Sequence, residues 1–335
     1  MMYVLLSAVQ PFTAPDAPAG AVKYLPSAVE SFGDGLWYVI KQALCQISPE
    51  ITEAAGVCLS IFAIILLLSI LENFSAETKN VSQLASTVAI TGILLQASGS
   101  LVSLAADTIR EISQYGKLLV PVLSAATAAQ GGTTTSVALY TGTVVFNAIL
   151  TAFLTGVVLP SVYIYIALCV SNRALHNDTL SSACKIIKWF ITWALKIPIY
   201  IFTGYMTITG VVSGSVDASA VKAAKIAISG SVPVIGGIIS DASETILVSV
   251  GIAKSSAGIW GLLALLAIWI GPFLKIAVQY SLLKFTAALC SMFGSKDSIG
   301  IVEDFSAAMS FLLAATGAIC FIHMISTVCF MKGVG

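Results

Sequence analysis

Long apolar runs alternate with short polar segments along this chain, and the run lengths set the first expectation. A hydrocarbon core of about 30 Å needs about 20 helical residues to cross it. Residues 54–71, "AAGVCLSIFAIILLLSIL", form the first such run and end at polar "ENFSAETKN". Residues 84–106 form the second, softer and richer in Ser, Thr and Gly. Residues 134–170 then give 37 positions without a charge, with Pro160 inside them. That exceeds one ordinary span, so it reads either as one long kinked helix or as two segments meeting near the proline. Residues 186–212, 256–280 and 305–330 complete six spans.

Shorter, interrupted segments lie between them. After the second run, "DTIREISQYGK" is charged and leads into "LLVPVLSAATAAQGG", which Pro121 leaves too short and too broken to span easily. Residues 213–230 have helical spacing with Asp217, Lys222 and Lys225 on a small-residue face, which predicts an interfacial helix. The next stretch, "SVPVIGGIISDASETILVS", breaks an apolar segment at Pro233 and Gly236-Gly237. Asp241 and Glu244 stand three apart after the break, the spacing of a capping box that starts the following helix. The bolder reading sets the same two carboxylates on the wall of a polar cavity.

The pattern predicts an all-α, polytopic helical membrane protein with about 6–8 membrane segments in residues 51–335. Residues 1–50 read as a polar, extracytoplasmic region. Their start, "MMYVLLSAVQPFTAPDAPAG", reads equally as a degenerate signal segment or as a plain tail.

Composition strengthens this picture. The 335 residues are 58% hydrophobic and 10% charged, with mean hydropathy +0.97, against about 25% charged in soluble domains. So few charges cannot cover a water-facing exterior. Net formal charge is zero, and no basic cluster exists to hold phosphates, which excludes nucleic acid as a partner. The seven cysteines include no C-x-x-C pair and sit mostly in apolar runs. They read as packing residues, and no metal or other cofactor is expected. Lys and Arg are scattered too thinly to set the orientation by loop bias.

An internal repeat emerges when Pro121 is aligned with Pro233, because the same offset of 112 carries Pro160 onto Pro272 without a gap. The two units are residues 84–200 and 203–330. Duplications with Gly- and Pro-broken segments in matching places are how many transporters build a midplane site. The acids have no counterpart in the first unit, where Ala129 and Gly132 stand at those positions.

Catalytic constellations are missing: no H-E-x-x-H, no phosphate-cradling G-x-x-x-x-G-K-[ST], no G-x-S-x-G elbow. No enzyme activity is expected. Lys188, Lys196 and Lys275 lie in or near apolar runs, where a charge must snorkel or pair. For Lys196 and Lys275 the sharper expectation is a polar lumen or a carboxylate partner such as Asp241.

Residues 204–250 resemble the stage III sporulation protein AE (SpoIIIAE) family of endospore-forming Firmicutes. The residues that carry the resemblance are Asp217, Lys222, Ala224, Lys225, Pro233, Val234, Gly236, Asp241, Ala242, Glu244 and Thr245. "GSKDSIGIVEDFSAAMSFLLA" resembles the final loop and span of the family. The resemblance implies a multi-pass component of the mother-cell membrane facing the forespore, within the SpoIIIA–SpoIIQ assembly. It implies other membrane and soluble-domain subunits as partners, with self-association open, and a channel or secretion-like role without catalytic residues. A stand-alone secondary transporter and a non-conducting scaffold are the other expectations.

Overall fold

The computed structural model describes residues 13–27, 31–72, 79–129, 133–175, 177–208, 256–292 and 296–332. Among them every regular element is helical. In chain order these are α1 (Ala19–Val22), α2 (Phe32–Cys45), α3 (Ser48–Glu72), α4 (Lys79–Ala129), α5 (Thr133–Phe153), α6 (Leu159–Leu175), α7 (Asp178–Ile208), α8 (Ser256–Cys290) and α9 (Lys296–Lys332). A π-helical turn, Leu154–Val158, joins α5 to α6. Six helical stretches among the described residues are long and apolar enough to cross a membrane.

Local chemistry starts two of these helices. Ser31 Oγ accepts the Asp34 backbone N–H at 3.2 Å and donates to the Asp34 carboxylate at 2.6 Å, a reciprocal cap that opens α2. Asn177 Oδ1 accepts the N–H of Thr179 at 2.8 Å and opens α7.

The segments expected on either side of "DTIREISQYGK" form one helix. α4 has 51 residues, roughly 75 Å at about 1.5 Å per residue. Its charged stretch is no boundary, because the charges share a face. Asp107, Arg110, Glu111, Gln114 and Lys117 are exposed, while Leu101, Ala105, Ile109, Ile112, Tyr115, Leu119 and Leu123 are buried. That spacing keeps an apolar stripe on the core through the polar segment. The chain also stays helical through Pro121, which sits on the exposed side. There the lost N–H costs one helical bond without disturbing packed neighbours.

Residues 133–175 resolve the two alternatives for the long uncharged run in favour of one rod. Pro160 cannot donate to the carbonyl of Gly156, and its ring crowds that turn. The five-residue π turn lies just before it and absorbs the misfit. Hydroxyls take up carbonyls nearby: Thr155 Oγ1 donates to the Thr151 carbonyl at 2.8 Å, and Ser161 Oγ to that of Val157 at 2.8 Å.

α9 is the central helix, buried almost all round and packed most extensively on α8 and α4. Ser86 on α4 bonds Ser298 near the start of α9 at 3.0 Å, and His323 near its end packs on Gly116. The two helices therefore run parallel. α8 is antiparallel to both, since Gly258 lies against Met331 and Gly261 against Leu119. The N-terminal segment packs along α8, with Tyr24 against Gly271, and Tyr115 Oη donates to the Pro15 carbonyl at 3.3 Å.

Candidate functional site

Charge at mid-helix depth distinguishes this bundle from a plain set of apolar spans. Lys275 lies past the midpoint of the 35-residue α8. Its Nζ donates to Glu53 Oε2 at 2.9 Å and ion-pairs with Glu50 Oε2, also at 2.9 Å. Both carboxylates come from the first two turns of α3, one helical turn apart. Three charged groups thus tie α3 to α8, with one carboxylate in excess.

The α4 charges lie on a helix that packs against α8. Gly261 and Leu119 are in contact on antiparallel helices, and a Cβ on Gly261 would fall 2.7 Å from Leu119 Cδ1. Counting fourteen residues on from that contact along α8 leads to Lys275, and fourteen back along α4 leads to Ala105. Asp107, Arg110, Glu111, Gln114, Lys117 and Pro121 continue from there as one exposed stripe. Asp107 and Arg110 pair along the helix at 3.3 Å, both well exposed. Such an exposed pair is worth little in stability. Its significance is position, in the middle of a helix otherwise suited to lipid.

The residues singled out in the sequence fall into four groups. Lys275 has its carboxylate partners, Glu50 and Glu53. Lys196 is exposed on α7, on the helix that also exposes Trp189, Trp193 and Tyr200. Pro160 is exposed after the π turn, and Pro272 is half-buried one helical turn before Lys275, inside continuous α8. Pro233, Gly236, Gly237, Asp241 and Glu244 lie outside the described residues, as do Asp217, Lys222 and Lys225.

Glu50, Glu53 and the charges of the α4 stripe were not among the candidate site residues singled out, although Pro121 at its end was. A helical-wheel reading of residues 101–126 would have shown the stripe. A second polar network was also hidden. Arg173, at the end of α6, donates from Nε and Nη2 to Asp304 Oδ2 on α9, each at 3.2 Å. Tyr165 Oη reaches Asp304 Oδ1 at 3.5 Å. The guanidinium lies on Gly300, where a Cβ would collide with it. These contacts latch the end of α6 to the start of α9.

The fold and its lipid-compatible helices define a polytopic helical membrane protein with a charged stripe halfway along α4. A family model described as stage III sporulation protein AE matches residues 30–333, and the chain belongs to that family. Stage III sporulation protein AE of Bacillus subtilis (strain 168) is 22% identical over 274 residues, covering 81% of this chain and 68% of the relative. No solved structure matches the chain.

Proposed function

We propose that this chain is a membrane subunit of the mother-cell-to-forespore channel complex of the SpoIIIA–SpoIIQ type. On this reading it sits in the mother-cell membrane, and its charged face borders a conduit for small solutes. The supporting observation is the run of exposed charges halfway along α4, Asp107, Arg110, Glu111 and Lys117, together with Lys275 on α8, paired with Glu50 and Glu53 at the start of α3. Where such charges enter the hydrocarbon core, each costs up to about 2.5–3.5 kcal/mol by insertion scales unless it finds water or a partner. Such a face therefore turns toward water or polar protein rather than lipid.

The centre of the bundle is filled by α9, whose Phe305, Phe311, Ile319 and Phe330 are fully buried. A conduit consequently runs beside the chain, between copies or between this chain and other membrane and soluble-domain subunits. Pro121 borders it on the α4 stripe, and the Pro160 and Pro272 positions give the neighbouring helices places to bend. Asp241 and Glu244, after Pro233 and Gly236-Gly237, lie outside the described residues and are the candidates in the sequence for a further acidic wall.

Solute flux from liposomes carrying the full chain, alone and with its complex partners, tests the proposal. Flux that falls when Glu111 and Lys117 are both neutralised supports a conduit along α4. Intact sporulation with no flux in any combination leaves the chain a non-conducting scaffold. Full flux from the chain alone, saturable in solute, identifies a stand-alone transporter instead.

A further inference from the structure

A cavity of about 790 Å³ opens between the N-terminal segment, α2, α4 and α8. That volume lies in the range of small-molecule sites, about 300–1,000 Å³. Its lining combines three aromatic side chains, Tyr38, Tyr115 and Trp260, with one carboxylate, Asp16. None of its lining residues among those described is Lys, Arg or His. The cation nearest in sequence, Lys23, instead has its Nζ 4.8 Å from the centroid of the Tyr24 ring. Tyr115 is held in place, being almost fully buried with its hydroxyl bonded to the Pro15 carbonyl. Thr13 and Ser27 add hydroxyls, and the remainder, Val22, Leu25 and Ala264 among it, is apolar.

This chemistry selects for charge sign and for size. Aromatic rings carry negative faces and attract ammonium groups, most strongly where the cation is weakly hydrated. A carboxylate at the rim adds attraction for a cation and repels anions. Small inorganic cations keep their hydration shells and gain little from rings, whereas an alkylated ammonium also buries apolar surface. From this lining we infer that the cavity is a binding site for a small organic cation, an alkylated amine or quaternary ammonium. The site stands independently of the conduit along α4, on the other side of Tyr115 from the charged stripe, and neither requires the other.

Isothermal titration of the detergent-solubilised full chain with choline tests the site. Its neutral tert-butyl analogue controls for size, and potassium chloride controls for bare charge. Choline is expected to give saturable binding, with the analogue at least about tenfold weaker and potassium giving no saturable heat. Asp16→Asn, on an exposed position, is expected to weaken choline about tenfold, and Trp260→Leu to abolish it. Should Trp260→Leu fail to fold, Tyr38→Leu replaces it, because Tyr38 is 43% exposed and carries less packing. Equal binding of choline and its analogue overturns the proposal. So does absence of choline binding, or choline affinity unchanged in Asp16→Asn and in the aromatic variant.

Discussion

Gly116 on α4 leaves the space that the imidazole of His323 on α9 fills, and a Cβ at position 116 would collide with the edge of that ring. His323 is itself tied down, its Nδ1 lying 2.9 Å from the Ile319 carbonyl, and it is almost completely buried. The contact fixes how closely the two parallel helices approach. Gly116→Ala is therefore expected to destabilise the chain by about 1–3 kcal/mol, the usual cost of overpacking. His323→Ala in the same chain should recover part of that loss, because the clash then disappears. A double-mutant cycle on thermal unfolding in detergent measures the coupling. Additive effects would mean that the helices separate freely at this point.

Removing one partner from the Arg173–Asp304 latch leaves the other charge partly buried. Both side chains are about three-quarters covered, so the pair is better protected than a surface ion pair. Asp304→Asn should cost about 2 kcal/mol, in the range for hydrogen bonds to charged groups. Limited proteolysis at the α6–α7 turn is the second readout, and cleavage should quicken as α6 loosens from α9. An unchanged cleavage rate would show that apolar packing alone holds the two helices.

Lys275→Met strands Glu50 and Glu53, one helical turn apart, without their counter-charge. Accumulation of the protein in membranes should fall several-fold. Adding Glu50→Gln and Glu53→Gln to the same variant should restore it, since the cost comes from uncompensated charge rather than a lost contact. Immunoblots of membrane fractions distinguish the variants. If the triple variant accumulates but fails to support sporulation, the cluster has a role beyond assembly.

Pro160→Ala gives the Gly156 carbonyl back its donor and removes the ring that forces the π turn. Amide hydrogen exchange across residues 154–160 should slow, and the melting temperature should rise. Sporulation should fall if bending at this place is needed for conduction. Full sporulation in a variant with slowed exchange would remove the π turn from the mechanism.

Several of these features were open to reading from sequence, and the reason is their short range. Run length and polarity predicted six spans, and six helical stretches among the described residues meet the length and hydropathy of a span. Pro160 announced an irregularity inside a 37-residue apolar run, because proline acts on the turn before it. The 107–117 stretch misled, because counting charges ignores the face they occupy. Only their arc on the helix, with Ile109, Ile112 and Tyr115 opposite, tells that α4 continues.

From the order of residues alone came the helical class, the lipid-suited lengths and the family likeness, all carried by neighbours within one helix or one motif. Partners came only with the packed chain. Lys275 and Glu53 are 222 positions apart, and no local pattern pairs them. Central burial of α9 likewise has no signature in its own composition, which resembles that of α8. A hydrophobic run records how much apolar surface must be covered. Whether lipid or another helix covers it is settled by the packing of all the helices together.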